Sequence, residues 1–278
     1  MVTAQFLVFI VAIFIGIIAA MVGIGGGALM VPVMILLLGV EPHQAVGTSL
    51  HVIILTATSS TIAYYIQRRI DFKVGVLMPL VTIPGSVLGA YTTKFISPKG
   101  IVGVFGAFLI LIALKMLTSR ERRKSENEEG SALSEDLNKG GESTRTLIDR
   151  DGKVFTYRPK LKVGLLLGFS AGFASGFLGI GGGALMVPIL NLVVGLPIHL
   201  AVATSMFIMV FSASFGATTH FLMGNLVPEY VVLLGAGVIL GAQIGARTAK
   251  RLKASKLRKA FAVVLIFTGL RMLLKALG

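Results

Sequence analysis

Gly23-Ile24-Gly25-Gly26-Gly27-Ala28-Leu29-Met30-Val31-Pro32 occurs twice in this chain, the second time unchanged as Gly179–Pro188. The offset of 156 (179 minus 23) holds well beyond these ten residues. His43 meets His199, Thr48-Ser49 meets Thr204-Ser205, and Gly85 and Gly89 meet Gly241 and Gly245. Further on, Lys94 meets Lys250, Phe105 meets Phe261, and Lys115-Met116-Leu117 meets Arg271-Met272-Leu273. No gap is needed from Gly16/Gly172 to Leu117/Leu273. A lone glycine cluster can coincide by chance. A register held over this length reads as an internal duplication.

The glycine segments sit among apolar runs: Phe6–Val22, Val46–Ile66, Val74–Thr93, Ile101–Leu114, Val163–Leu178, Leu200–Leu222, Val231–Ile244 and Phe261–Leu274. Most approach the ~20 residues that cross ~30 Å of hydrocarbon as a helix. With 55% hydrophobic residues and a mean hydropathy of +0.88 over 278 residues, the chain is too apolar for a soluble domain. Met1–Phe6 carries no Lys or Arg and lacks the basic flank of a signal peptide, so the first run reads as a retained helix. The pattern predicts an all-α, polytopic protein of the cell membrane, with the lipid bilayer as its first partner.

Each half reads as five helical elements, in the first half over 3–22, 27–38, 44–66, 74–94 and 100–118. The second element is short: at ~1.5 Å per residue it covers about half a bilayer. Elements one and two therefore read as a helix, a glycine break and a half-length helix, bent early by Pro32 or Pro188. The expected organisation is a first transmembrane repeat at 1–118, a polar cytoplasmic linker at 119–162 and a second repeat at 163–278. The linker holds 11 of the 26 Lys/Arg and 9 of the 12 acidic residues. It reads as flexible through Ser143; over 146–157 it reads either as more of the same solvated linker or, from Asp151-Gly152 between alternating apolar flanks, as a small hairpin.

Loop charge sets the expected topology. With the linker inside, the loop at 67–73 is also inside and carries Arg68, Arg69 and Lys73. Its counterpart at 223–229 has no Lys or Arg, whereas the loop at 250–259 carries six. Five elements per half place both basic loops inside and the bare one outside. The two halves are thus expected to be inverted repeats, a recurrent transporter plan, with both chain termini outside. The net charge of +14 follows this loop pattern and does not interleave with aromatics, which argues against nucleic acid.

Three glycines in succession make a poor helix interior, at about 1 kcal/mol each relative to Ala. They also expose N–H groups that lipid cannot satisfy. Such a break is tolerated where protein covers it or a polar cavity adjoins it. The helix that follows presents free N–H groups and a positive dipole end, a ready anion site. Gly25, Gly26 and Gly27, with Gly181, Gly182 and Gly183, are therefore candidate substrate-binding residues. Close helix packing is the alternative for glycines and accounts well for Gly85/Gly89 and Gly241/Gly245. A nucleotide fold is the other rival, but the motif follows a long apolar helix instead of a strand.

Thr48, Ser49, Thr204 and Ser205 lie one turn into the third element of each half. Their hydroxyls can donate to an anion without burying a charge, or else bond a carbonyl of their own helix. His51 and His220 lie in apolar runs and are candidates for a proton relay or for neutral core histidines. His43 and His199 sit at helix starts and read as interfacial. Outside the linker the only acids are Glu41, Asp71 and Glu229, near loops. That leaves no buried carboxylate for a cation pathway, and no catalytic constellation, metal site or cofactor motif. The chain has no cysteine.

The duplicated glycine segments resemble the TauE/SafE family of sulfite-exporter-like proteins, also called the toluene sulfonate uptake permease family. Ala45-Val46-Gly47-Thr48-Ser49-Leu50 and Ala201-Val202-Ala203-Thr204-Ser205-Met206 are similar to its second motif. Pro84-Gly85-Ser86-Val87-Leu88-Gly89-Ala90 and Leu240-Gly241-Ala242-Gln243-Ile244-Gly245-Ala246 are similar to its third. The resemblance covers nearly all of the chain except Ser119–Lys162. It implies secondary transport of a small anion such as sulfite, thiosulfate, a sulfonate or a related organic acid. The rival reading is an accessory or receptor-type membrane subunit that moves no solute. A homodimer is compatible with either.

Overall fold

The computed structural model describes residues 2–118, 144–249 and 254–277. Helix α1 spans Val2–Val22, and α2 (Gly27–Pro32) runs on as a π-helix over Val33–Leu37. Then come α3 (Pro42–Ile66), α4 (Phe72–Leu77), α5 (Pro79–Thr92) and α6 (Pro98–Thr118). A hairpin of β1 (Arg145–Ile148) and β2 (Val154–Tyr157) separates the halves. In the second half α7 spans Leu161–Leu178, and α8 (Gly183–Pro188) runs on as a π-helix over Ile189–Val194. The last helices are α9 (Ile198–Leu222), α10 (Pro228–Thr248) and α11 (Ala254–Leu277). The elements match the expected five per half. The flexible stretch expected at 119–143 and the first four positions of the basic loop at 250–259 fall outside the described residues.

The helix starts follow from local chemistry. Glu41 caps α3 by accepting from the Gln44 amide at 3.2 Å, and Pro42 supplies a first residue that needs no N–H partner. Asp71 caps α4 by accepting from the amides of Lys73 and Val74 at 3.0 and 3.1 Å. Pro32 and Pro188 do more than bend their helices. Each lacks the N–H for an i−4 bond, and the chain resumes in the wider π register directly afterwards.

Among the described residues, five segments are long and apolar enough to cross a membrane: Pro42–Ile66, Phe72–Phe95, Leu161–Leu178, Ile198–Leu222 and Pro228–Thr248. Shorter apolar helices lie at Phe6–Val22, Gly27–Leu37, Pro98–Leu114 and Gly183–Val194. Large apolar side chains such as Leu80, Leu166 and Val232 point outward, while Thr48, Ser49, Thr204 and Ser205 are fully buried. An apolar exterior around hydroxyl-bearing contacts is what a hydrocarbon solvent demands. The protein is a nearly all-helical, multi-pass membrane protein.

The halves pack reciprocally. Helix α1 lies along α10, where Gly237 faces Phe9, Gly241 faces Ile13 and Gly245 faces Ile17. The same contact recurs 156 residues on, between α5 and α7: Gly85 faces Phe169 and Gly89 faces Phe173. A methyl group at Gly241 would collide with the Ile13 carbonyl, so only glycine allows this approach. In lipid, where apolar surfaces gain nothing by leaving water, such backbone proximity supplies the dispersion contact that holds helices together.

Counterpart helices run antiparallel. Thr48, near the start of α3, accepts a hydrogen bond at 3.0 Å from the Val227 amide just beyond the end of α9. Thr204, near the start of α9, accepts one at 3.0 Å from the Asp71 amide just beyond the end of α3. Helices α6 and α11 likewise cross in opposite directions, with Gly103 against Ala276 and Gly106 against Gly269.

The hairpin pairs Arg145 with Tyr157 and Ile148 with Val154 in antiparallel register. Asp149 orders its turn by accepting from the amides of Asp151 and Lys153 at 2.9 and 3.0 Å. The hairpin docks on the loop between α3 and α4. Arg69 donates to Asp149 at 2.8 Å, with side chains only 7% and 1% exposed. Arg145 and Tyr157 both donate to the Asp71 carboxylate, at 3.1 and 2.6 Å. Burial opposes ionisation of Asp149, but the Arg69 guanidinium and the two amides outweigh it and hold its pKa below the ordinary carboxylate range. Burial, reinforced by the Asp71 carboxylate, pushes the Tyr157 phenol up, so it remains a donor.

Candidate functional site

The two glycine breaks lie against one another in the core. Gly25 and Gly26, and Gly181 and Gly182, all adopt positive φ between 74° and 91°. At Gly26 and Gly182 the left-handed conformation turns the chain into the short helix, which a side chain would strain. Gly27 and Gly183 take helical positions and press on the opposite break. A methyl at Gly27 would strike the Gly179 carbonyl, and one at Gly183 the Gly23 carbonyl.

Backbone bonding around each break is sparse. The amides of Gly23 and Ile24 both donate to the Ala19 carbonyl, and those of Leu29 and Met30 both donate to Gly26. Among the described residues, no carbonyl or side-chain acceptor is paired with the intervening amides of Gly25, Gly26, Gly27 and Ala28. In the second half the amides of Leu185 and Met186 donate to Gly182, and those of Ile180, Gly181, Gly182, Gly183 and Ala184 have no acceptor among the described residues. These amides are grouped near the centre of the fold in a chain whose exterior is apolar.

Two side chains cover them. Ile53 on α3 and Met209 on α9 are repeat counterparts, each about 1% exposed. Each touches both breaks. A methyl at Gly25 would lie 2.8 Å from Met209 Sδ and 3.3 Å from Ile53 Cγ2. One at Gly181 would lie 2.8 Å from Ile53 Cγ2 and 3.2 Å from Met209 Sδ. A crevice too narrow for a water molecule adjoins the second break, lined by Thr82, Ala171, Gly182, Met186, Met209 and Ser212 among others. The site is closed in this conformation.

The hydroxyls expected to face an anion are engaged by backbone here. Ser49 Oγ donates to Val46 and Gly179 carbonyls, both at 2.7 Å, and Ser205 Oγ is shared between Val202 and Gly23 carbonyls at 2.8 and 3.2 Å. Each serine thereby clasps the break of the other half. Thr48 and Thr204 accept from the loop amides already described. These four side chains position the breaks and the loops behind them.

The histidines are occupied as well. His51 Nδ1 donates to the Gly47 carbonyl one turn back, at 2.9 Å. His220 Nε2 donates to the Gly176 carbonyl at 2.9 Å, and Asn225 Nδ2 donates to its Nδ1 at 3.3 Å, which one neutral tautomer satisfies. The repeat counterpart of His220 is Tyr64, whose hydroxyl donates to the Ala20 carbonyl at 2.7 Å, the counterpart of Gly176. Imidazole and phenol make the same bond in the two halves. At the start of α3, His43 bonds Glu41 and the carbonyls of Thr93 and Ile96.

Ile53 and Met209 were not singled out by sequence. Their only signal is that they share the offset of 156 on the third element of each half, a little over one turn beyond the hydroxyl pairs.

Residues 8–272 match the family model described as Sulfite exporter TauE/SafE. A Bacillus subtilis protein named "Probable membrane transporter protein YunE" is 33% identical over 277 residues, covering 95% of this chain and 97% of its own. "Probable membrane transporter protein YdhB" of the same organism is 26% identical over 96% of this chain and 99% of its own. "Probable membrane transporter protein MJ0441" of Methanocaldococcus jannaschii is 25% identical over 96% and 95%. No solved structure matches.

Proposed function

The chain belongs to the sulfite exporter TauE/SafE family of membrane transporters, and from that premise we propose that it carries a small anion across the cell membrane by secondary transport. Sulfite, thiosulfate, sulfonates and related organic acids are the solute class. The observation that carries the reading is the meeting, in the core, of two glycine breaks whose amides have no acceptor among the described residues. Unpaired N–H groups in a low-dielectric interior cost free energy unless something accepts from them. An anion is the natural acceptor, and neutral donors bind it without the penalty of a buried cation.

Antiparallel counterpart helices support inverted repeats about this site, with the linker and the basic loops in the cytoplasm. Ile53 and Met209 then form the cover of an occluded state. Opening toward either side requires that cover to part, and Met209 is the adaptable member: its unbranched chain has three rotatable bonds, whereas Ile53 is stiff at χ1. Energy comes from a solute or ion gradient or from the membrane potential.

Flux of sulfite, thiosulfate and methanesulfonate into liposomes holding the purified chain tests the proposal. Saturable uptake is expected, abolished by Gly26→Leu and by Gly182→Leu while both variants still insert. Normal flux in both variants would remove the breaks as the site. No flux from wild type with any of these anions would favour a non-transporting subunit.

A further inference from the structure

Thr82 and Ser175 are buried, at 1% and 0% exposure, and the hydroxyl of each has no hydrogen-bond partner among the described residues. Both stand at the second glycine break. Thr82, on α5, lines the crevice beside Gly181 and Gly182. Ser175, on the last turn of α7, has its Cβ 3.3 Å from where a Gly182 methyl would sit. A buried hydroxyl normally finds a partner, and a threonine or serine in a helix has the carbonyl of its own preceding turn to hand. Ser214, Thr218 and Thr219 use that carbonyl in α9. Thr82 and Ser175 do not.

The first break has no such groups. The repeat counterpart of Thr82 is Val238, and that of Ser175 is Ala19. Around Gly26 a methyl would meet Ile15 Cγ2 at 3.2 Å and Ala19 Cβ at 3.3 Å. Around Gly182 the counterpart of Ile15 is Ala171, whose small side chain borders the crevice. One break is packed with aliphatic carbon; the other borders a crevice with two idle donors.

We infer that the anion-binding subsite is one-sided: it lies at the second break, where Thr82 and Ser175 donate to a small oxyanion beside the amides of Gly181 and Gly182. This rests on the anion-transport reading and narrows it. A pyramidal or tetrahedral oxyanion offers several acceptor oxygens, which amides and hydroxyls from α5, α7 and the break can share. The crevice admits no water as it stands, so binding requires the Met209 side chain to withdraw from Gly181. The first break serves as a rigid partner surface, and one anion is carried per cycle.

Binding of sulfite and of thiosulfate to the purified, detergent-solubilised full chain tests this, by calorimetric titration and by thermal shift, with liposome flux in parallel. Thr82→Val and Ser175→Ala are each expected to weaken binding about tenfold and to raise the KM for flux in step. Thr82→Ser, which keeps the hydroxyl, should stay within about twofold of wild type. So should Thr56→Val, which alters a buried threonine already bonded to Val52. Size-exclusion profiles matching wild type establish that the variants fold. Unchanged binding in both Thr82→Val and Ser175→Ala, with a wild type that binds, overturns the one-sided subsite and leaves anion transport standing. Wild type that neither binds nor moves either anion overturns both.

Discussion

The glycine break of the first half and that of the second share ten identical residues, one Ile53–Met209 cover and equivalent serine clasps, and differ in the side chains behind the Gly26 and Gly182 turns. Ile15, Ala19 and Val238 close around the first; Ala171, Ser175 and Thr82 stand around the second. The backbone path, the positive φ values and the reciprocal seating of Gly27 and Gly183 are preserved in both. Duplication has kept what the chain path requires and released what merely surrounds it. The same division holds for the loops behind the breaks. The Asp71 loop is clamped by the hairpin through Arg69, Arg145 and Tyr157, whereas Val227, at the counterpart position, is held by Thr48.

The largest effect should come from prying the breaks apart. Gly27→Ala and Gly183→Ala place a methyl against a backbone carbonyl of the opposite break, which no rotamer can relieve. Overpacking of this kind costs about 1–3 kcal/mol and shifts the backbone. Both variants are expected to lose more than tenfold in flux and to melt earlier. If Gly27→Ala is silent while Gly183→Ala is not, the preserved backbone matters at one break alone.

Next comes the clamp, which exists in one half only. Removing one partner of a buried ion pair leaves a bare charge, at about 3–5 kcal/mol where burial is complete. Arg69→Ala should therefore release the hairpin, though the cost is local, and flux should fall less than for the glycine variants. Hydrogen exchange should quicken at 145–157 and 67–74 and remain unchanged at 223–231. The pH dependence has a definite sign. Asp149 has a depressed pKa in the folded state, so its contribution is complete above the ordinary carboxylate pKa and fades as pH falls through the folded value. Hairpin protection should hold at neutral pH and weaken in acid. Protection that rises on acidification would contradict the Arg69–Asp149 link.

How much of this was legible beforehand depends on which interactions repeat. Helix positions, the glycine breaks and the hairpin turn at Asp151-Gly152 follow from periodicity, duplication and turn chemistry, all local in sequence. The cover formed by Ile53 and Met209 was not legible: an isoleucine and a methionine in apolar helices carry no local signal, and only the fold brings both onto both breaks. The hydroxyls of Ser49 and Ser205 were legible as paired features, but their acceptors, the Gly179 and Gly23 carbonyls, lie in the opposite half. Thr82 and Ser175 were not legible because the duplication marks what the halves share, and these two are what they do not share.

Smaller effects are expected where the halves are true equivalents. Thr48→Val and Thr204→Val each strand a loop amide, that of Val227 or Asp71, at about 1–3 kcal/mol for a buried donor. Melting temperatures should fall in both. Thr204→Val should be the milder, because the hairpin still grips the Asp71 carboxylate from the other side. Equal losses would mean that the hairpin adds nothing to that loop.

The smallest effect separates a structural role from a proton relay. Tyr64 and His220 donate the same bond to equivalent carbonyls, Ala20 and Gly176, so Tyr64→Phe and His220→Phe should cost about 1 kcal/mol each, the net worth of one hydrogen bond. His220→Tyr should recover much of that loss, since phenol already does this work in the other half. Flux measured across pH decides the rest. A His220 that only tethers α9 to α7 can be replaced without moving the pH profile. A flux that loses its pH dependence in His220→Tyr would make the histidine a proton carrier, and the likeness to Tyr64 would then concern placement alone.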